Sequence, residues 1–485
     1  MNRVSTGLAA VILGTAAALV APATAPSASV PSASRASLPP DCLPSASPEQ
    51  SGSGLHLGFP RSPLRAPAVG TLRIAVLYVD FPDAPAQQSV GSLHAATIPE
   101  GLRHLEKLSH GRLRVTEIHT SQWVRMPKPM TDYLDAPGIS SSGDLHHAFM
   151  ADAVAAADPI LDFRDIDIVG VVMDKAQLRP PLGIAMIGSP DFALIADGHE
   201  MYDGFTLMHP LFKVHTVVAH EILHNLGLVD LYDGSAPGGA AWPSPRNRFV
   251  GEFSIMGEVR GHSPELFAWE QWVLGWLEDD AISCVTTGTQ EVTLSAVSAT
   301  TGTRMATVPL GGNRFVAIEV RAKHGLDSPP RPGVLPYLVQ PDIPTSSGPV
   351  RIPTRRDPEV IQPLGVGTQW VIEGVGVEVL SSQGLTYRVR VHAQAPAPTS
   401  PGSVAQLKAS RAKSGVLVTW QAPRDTGWTT LTGYEYRVGT GPWTPATGTR
   451  VNIPSPGRGQ SLVIEVRAVN AQGQGPSTRV NYRAR

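Results

Sequence analysis

The stretch His220–Asp230, HEILHNLGLVD, contains two histidines that are four residues apart. In an α-helix, residues i and i+4 lie on one face about one turn apart, so His220 and His224 can direct ring nitrogens at one point. Gly227 can adopt a left-handed backbone conformation that ends the helix and turns the chain, and this turn would bring Asp230 to the same point. Two imidazoles and one carboxylate predict a zinc site with three protein ligands.

Three protein ligands leave one coordination position open, which is the arrangement of catalytic rather than structural zinc sites. Glu221 directly follows the first histidine and could reach a water on the metal without binding the metal itself. The alternative is a buried amphipathic helix whose histidines are only hydrogen-bonded. The further requirement for glycine and aspartate at the right offsets makes the metal interpretation the more specific one.

Composition places the chain among ordinary globular proteins. Its 485 residues are enough for two to four domains, and 42% of them are hydrophobic, so a sizeable core can form. The formal net charge of -2 gives no reason to expect a nucleic-acid partner or attraction to an anionic membrane.

The N-terminus has the pattern of a secretory signal peptide, predicted for residues 1–25. Arg3 supplies the positive start, and residues 8–20 form an apolar run too short to span a bilayer comfortably. Small residues follow, and cleavage after Ala23 or after Ala25 would fit. A retained membrane anchor is the alternative. We therefore expect a secreted, extracellular protein that has no membrane contact after signal removal.

The chain has only two cysteines, Cys42 and Cys284. An even count in an exported protein favours a disulfide. A competing hypothesis places the Cys42 thiolate on the zinc in a latent precursor, and the two readings exclude each other. Residues 26–68 are rich in Ser, Pro and Ala, which predicts a disordered tail or a short pro-segment.

Residues 69–279 alternate between strand and helix patterns, which predicts a sheet with helices packed on it. The pattern gives strands at 72–81, 113–118 and 166–173, and helices near 99–110, with Pro99 in the first turn, and at 145–157. From residue 280 the chain has short β-type runs, so we expect a β-rich module over 280–392. A Pro-rich linker, 393–402, and a small β-sandwich, 403–485, complete the chain.

The motif and its context resemble the immune inhibitor A family of secreted metallopeptidases. Likeness extends to residues 79–83 (VDFPD), 254–257 (SIMG), 268–270 (AWE) and 274–276 (LGW), whereas Val229 stands where the family commonly has proline. The resemblance implies a multidomain α+β protein whose metzincin-like catalytic domain combines a twisted sheet with an active-site helix. It also implies that Asp230 is the third zinc ligand and that Met256 lies in a methionine turn beneath the metal.

The last 83 residues, 403–485, resemble a fibronectin type III domain through Trp420, Tyr434 and the run at 464–470. Such a domain most often acts as a spacer, and binding of a polymer or matrix is the alternative.

The expected function is zinc-dependent hydrolysis of peptide bonds in protein or peptide substrates, with Glu221 as general base. Tyr232, Tyr202 and His199 are candidates for stabilising the oxyanion. Asp233 could support the zinc site, bind a structural calcium ion or be a solvated carboxylate. His215 lies five residues before the first ligand and is not expected to bind the metal.

Two other functions fit the same residues less well. One is a secreted binding or adhesion protein whose peptidase fold no longer cuts, but the complete ligand set argues against it. The other is a zinc amidase that acts on cell-wall peptides.

Overall fold

The computed structural model describes residues 38–46, 54–135, 138–139, 143–174, 183–207, 214–237, 244–353 and 361–484. The predicted signal peptide, residues 1–25, and the two candidate cleavage sites lie outside the described residues.

The described part of residues 69–279 contains ten strands and four α-helices. They are β1 Gly70–Asp80, α1 Val90–Leu108, β2 Leu113–His119, β3 Val124–Arg125, β4 Leu134–Asp135, β5 Gly138–Ile139, α2 Gly143–Ala157, β6 Ile168–Met173, β7 Gly183–Ile187, β8 Leu194–Ala196, β9 His199–Met201, β10 Asp203–Leu207, α3 Val214–Asn225 and α4 Ala268–Val273.

A mostly parallel sheet organises this region, with strand order β2-β1-β6-β10-β7 and β3 paired to β1. β7 is the antiparallel strand, and it lies at the edge beside β10. Successive side chains of a strand point to opposite faces. Accordingly, Leu72, Ile74 and Val76 of β1 pack with α1 and α3 on one face. Ala75 and Leu77 pack with α2 on the other. The continuous apolar run of β1 thus reflects burial on both faces.

Helix α1 begins earlier than its sequence pattern predicted. Ser89 is the N-cap, and its hydroxyl accepts a hydrogen bond from the backbone N–H of Ser92 at 3.2 Å. Pro99, expected in the first turn, therefore lies inside the helix. The helix continues through it because Ile98 and Leu102 are buried against the sheet and α3, which outweighs one missing backbone bond.

The β-rich module continues the chain with nine strands in two sheets. These are β11 Ile282–Cys284, β12 Thr289–Ser295, β13 Met305–Gly311, β14 Arg314–Arg321, β15 Gly333–Val339, β16 Val350–Arg351, β17 Gln369–Ile372, β18 Val375–Gln383 and β19 Thr386–His392. The sheet orders are β11-β13-β14-β15-β16 and β12-β19-β18-β17. One hydrophobic core includes residues on both sides of the expected boundary at 279/280, because Phe315 and Tyr337 belong to the same cluster as Trp269.

The C-terminal residues form a two-sheet β-sandwich with its own core. Its strands are β20 Ala405–Ala412, β21 Gly415–Gln421, β22 Leu431–Val438, β23 Thr444–Ala446, β24 Arg450–Ile453, β25 Ser461–Asn470, β26 Gly473–Gln474 and β27 Thr478–Arg483. Trp420 and Tyr434 meet edge to face in this core, with ring centroids 5.5 Å apart. The described part of the chain is thus rich in β-structure and has few helices.

Residues 38–46 and 54–68, which belong to the segment predicted to be a disordered tail or a short pro-segment, make specific contacts with the rest of the described chain. Cys42 forms a disulfide with Cys284 and is fully buried, which excludes it as a metal ligand. The Leu57 carbonyl accepts a hydrogen bond from the indole N–H of Trp269 at 2.9 Å. The Ala66 backbone N–H donates to the Asn225 carbonyl at the end of α3. Contacts with the body of the protein therefore supply the order that the local composition lacks.

Candidate metal centre

The chain turns sharply after α3, as the glycine predicted. α3 ends at Asn225, and Gly227 has a φ of +106°, which favours glycine. The backbone N–H of Leu228 donates to the carbonyl of Leu223 at 3.0 Å and closes the helix end. The turn directs Asp230 back toward the helix face that carries the histidines.

Three side-chain atoms meet beside this turn. His220 Nε2 and His224 Nε2 are 3.2 Å apart. Asp230 Oδ1 lies 3.3 Å from His220 Nε2 and 3.2 Å from His224 Nε2. An ion bound tetrahedrally, with bonds of about 2.0–2.1 Å, holds its ligand atoms about 3.3–3.4 Å apart. The three separations therefore match one face of a zinc coordination tetrahedron.

The other ring nitrogens fix the tautomers of both histidines. His220 Nδ1 lies 3.0 Å from the Ile255 carbonyl oxygen, and His224 Nδ1 lies 2.8 Å from that of Leu228. A carbonyl oxygen only accepts, so each Nδ1 carries the proton. In its neutral form, each ring presents an unprotonated Nε2 to the shared point, which is the form that binds a metal. Asp230 Oδ1 is buried at that point and lies within 3.3 Å of both Nε2 atoms. This donor set fits zinc.

The electrostatic interactions where the three side-chain atoms meet favour the binding of a cation. Burial acts to raise the pKa of Asp230, but His224 and His220 hold it far below its usual range. Burial acts to lower the pKa of His224, but the charge of Asp230 and its hydrogen bond raise that pKa to about 9. The carboxylate thus stays ionised and attracts a cation.

A distant loop between β15 and β16 holds the carboxylate in place. The backbone N–H of Asp230 donates to the hydroxyl of Thr345 at 2.9 Å. The Ser346 hydroxyl lies 3.3 Å from Asp230 Oδ2, and the Ser346 backbone N–H donates to the Asp230 carbonyl at 3.0 Å. Tyr232 hydrogen-bonds to the same aspartate. No local pattern in the sequence could predict the two loop residues, because they follow Asp230 by more than 100 positions.

The turn Ser254–Gly257 contacts one proposed ligand and the residue that follows another. The Ile255 carbonyl accepts from His220, and the Met256 carbonyl accepts from the backbone N–H of Leu231 at 2.9 Å. Met256 itself is fully buried. Glu270 of α4 accepts a hydrogen bond from the Ser254 hydroxyl at 2.8 Å, so the turn is tied to the following helix.

Glu221 lies beside the edge strand β7. It is buried, and the backbone N–H of Ala185 hydrogen-bonds to its carboxylate. A Cβ atom on Gly183 would lie 2.4 Å from Glu221 Oε1, so glycine at this position makes room for the carboxylate. Burial raises the pKa of Glu221, and electrostatic interactions with His220 and His224 oppose that rise.

The candidates for stabilising the oxyanion, and His215, lie in different parts of the structure. Tyr232 lies at the site, whereas Tyr202 donates to Glu200 at 2.6 Å and His199 bonds to the Ile166 carbonyl at 2.8 Å. The His215 ring faces His104 of α1, with centroids 5.8 Å apart.

Asp233 has both carboxylate oxygens engaged. Ser235 donates to Oδ1 from its backbone N–H and its hydroxyl, and Arg248 forms an ion pair with Oδ2 at 2.6 Å. These contacts offer no support for a calcium ion at Asp233.

Comparisons with known proteins leave the family of this chain open. No protein-family model matches it, and no curated protein matches it. Among solved structures, a fibronectin type III domain from human is similar at 17% identity over 19% of this chain and 83% of that chain, with a TM-score of 0.16. Domains d3–d4 of the rat CD45 extracellular region are similar at 15% identity over 25% of this chain and 67% of that chain, with a TM-score of 0.17. Within the described residues, no helix has the length and apolar character needed to cross a membrane.

Proposed function

We propose that this chain is a secreted zinc endopeptidase of the immune inhibitor A type that acts on protein or peptide substrates. The observation that carries the proposal is the meeting of two imidazole nitrogens and a buried carboxylate oxygen within 3.3 Å of one another. His220, His224 and Asp230 would hold the metal. The disulfide is in keeping with export, since such bonds persist mainly in oxidising compartments.

Bound zinc supplies Lewis acidity, which lowers the pKa of water toward neutrality and polarises a carbonyl. Glu221 is the group that would take a proton and return it to the leaving amine. Its carboxylate follows the first ligand directly along α3 and is held by Ala185, so it is oriented before substrate arrives. Tyr232 is the remaining candidate for stabilising negative charge on the substrate oxygen.

The edge of the sheet favours an extended peptide as substrate. β7 pairs with β10 on one side, and no strand pairs with its other side among the described residues. A peptide can add to such an edge through backbone hydrogen bonds. Because Gly183 and Ala185 of β7 contact Glu221, the added peptide would run past the general base. This arrangement supports a peptidase over an amidase for small substrates.

The test measures zinc content and casein hydrolysis on the purified secreted protein. We expect one zinc at the His220 site and hydrolysis that a chelator abolishes. The isosteric variant Glu221→Gln should lower kcat/KM by a factor of about 10² to 10⁴ while retaining its zinc, since it removes only proton transfer. Glu200→Gln, at an exposed glutamate that bonds to Tyr202, is the matched control and should retain full activity.

Equal hydrolysis by wild type and Glu221→Gln would remove the enzyme hypothesis and leave the binding or adhesion protein. Release of cell-wall peptides without cleavage of casein would favour the amidase instead.

A further inference from the structure

A second group of metal-binding side chains lies away from the proposed active site. His94 belongs to α1, and Glu117 and His119 belong to β2, the strand at the opposite edge of the sheet from β7. The two imidazole rings stack, with centroids 4.0 Å apart and planes inclined by 17°. The motif that predicted the first site is not involved.

The three side chains converge on one carboxylate oxygen. His94 Nδ1 lies 3.5 Å and His119 Nδ1 lies 3.0 Å from Glu117 Oε1. One ligand atom from each residue can be chosen so that all lie within 4.8 Å of one another. Zinc holds tetrahedral ligand atoms about 3.3 Å apart, so a small closing movement would bring these donors to coordination distance.

One oxygen of the Glu117 carboxylate is withdrawn from solvent. This oxygen, Oε1, is buried, and the His119 ring is a hydrogen-bond partner of the carboxylate. A divalent cation bound between the imidazole rings would interact with a carboxylate oxygen that burial has withdrawn from water.

The surroundings leave room for water on one side. Tyr78 faces both rings edge-on, with centroid distances of 6.0 and 6.2 Å, and closes the inner side. Its hydroxyl lies 2.9 Å from His94 Nδ1, and Thr97 is a second hydrogen-bond partner for the same hydroxyl. The tyrosine can thus keep a partner when the imidazole binds a metal. His119 has 36% of its side chain exposed, which keeps the outer side open.

We propose that His94, Glu117 and His119 form a second metal site that binds a divalent transition metal ion of the Zn²⁺ class. Two imidazoles and one carboxylate suit zinc, copper and nickel rather than calcium or magnesium, which prefer oxygen ligands. The site is independent of the proposed peptidase activity.

Metal at this site would cross-link α1 to β2. α1 also packs closely on α3, since a Cβ on Gly101 of α1 would lie 2.6 Å from Val218 Cβ of α3. The second ion would thus steady the helix that lies behind the proposed active-site helix.

The test is equilibrium dialysis of the full-length protein against a series of Zn²⁺ concentrations, with bound metal counted by elemental analysis. We expect Glu117→Gln and His119→Asn each to bind one zinc fewer than wild type. Exposed His262 and its partner Glu252 form a similar pair that no third ligand joins among the described residues, so Glu252→Gln is the matched control and should bind as much zinc as wild type.

Cobalt provides a second, spectroscopic readout of metal bound at this site. In a His220→Ala, His224→Ala background, Co²⁺ should still give visible absorption bands, and adding Glu117→Gln should abolish them. If the proposed active site binds no metal, the His220 and His224 substitutions will not lower the metal content of the protein. The Co²⁺ result at the second site would be unaffected. Zinc binding by Glu117→Gln and His119→Asn equal to that of wild type would overturn the second site.

Discussion

Each of the three proposed zinc ligands presents one atom to the shared point and bonds to the protein through another. His220 and His224 use Nδ1 for this purpose, with carbonyl partners at 3.0 and 2.8 Å. Asp230 uses Oδ2, which faces the hydroxyl of Ser346. Such outer contacts orient the ligands and raise metal affinity.

The Ser346 contact can be tested by one deletion. Ser346→Ala removes the hydroxyl from Asp230 Oδ2, so the carboxylate is oriented less well and zinc affinity should fall about tenfold. A competition titration with a chromogenic chelator measures the change. Ser347→Ala is the control, because the Ser347 hydroxyl bonds to the Thr345 carbonyl. The zinc affinity of this variant should match that of wild type. Equal affinities in all three proteins would show that the contact plays no part.

Glycine at position 183 is predicted to be necessary for the general base. Gly183→Ala places a methyl group 2.4 Å from the present position of Glu221 Oε1, so the carboxylate must move. We expect kcat/KM to fall by about 10² or more with zinc content unchanged, since proton transfer depends on position. Gly91→Ala, where a Cβ meets no atom within 4 Å, is the control. Full activity of Gly183→Ala would contradict the placement of the base.

At the scale of elements, the site was predictable where its parts are close in sequence. Helical spacing and Gly227 were sufficient for α3 and the turn that follows it. The strands from β7 to β10 were not predicted, because their short runs are broken by Gly, Asp and Pro. Ser346 could not be predicted for a different reason, since its contact with Asp230 depends on how a loop of the β-rich module folds back.

Packing between elements also buries two histidines in neutral form. His104 of α1 bonds to the Pro264 carbonyl, and His146 of α2 bonds to the Thr206 hydroxyl, each at 2.9 Å. Burial lowers the pKa of each ring to about 4. A histidine with a lowered folded-state pKa takes up its proton more readily when unfolded. Stability is therefore lost as the pH falls below the unfolded value of about 6.5.

From these pKa values we expect each ring to cost about 2 kcal/mol of unfolding free energy between pH 7 and pH 5. His146→Leu removes one titrating group. The unfolding free energy of this variant should therefore fall by about 2 kcal/mol less than that of wild type over the same pH range. Urea unfolding of both proteins at the two pH values, at one fixed zinc concentration, measures the difference. Identical losses would show that this histidine is not held neutral in the fold.

At the scale of the whole molecule, the proposed site depends on the β-rich module. The Glu319 carboxylate of β14 accepts a hydrogen bond from the Ala268 backbone N–H at the start of α4. Fully buried Arg321 donates to the Phe253 carbonyl at 2.8 Å, directly before the turn that holds His220. Aromatic contacts join the same parts, since Phe267 and Tyr337 have ring centroids 4.6 Å apart. The C-terminal sandwich, by contrast, packs around a separate core.

Two truncations should therefore behave differently. A protein that ends at residue 402 keeps the shared core and the loop at Ser346, so we expect unchanged zinc content and casein hydrolysis. A protein that ends at residue 279 exposes Trp269 and leaves the partners of α4 unpaired, so it should not fold cooperatively or retain zinc. Thermal unfolding and elemental analysis of both proteins test this. A stable, zinc-containing 279-residue form would mean that the first part of the chain folds on its own. Loss of zinc in the 402-residue form would instead make the sandwich necessary for the site.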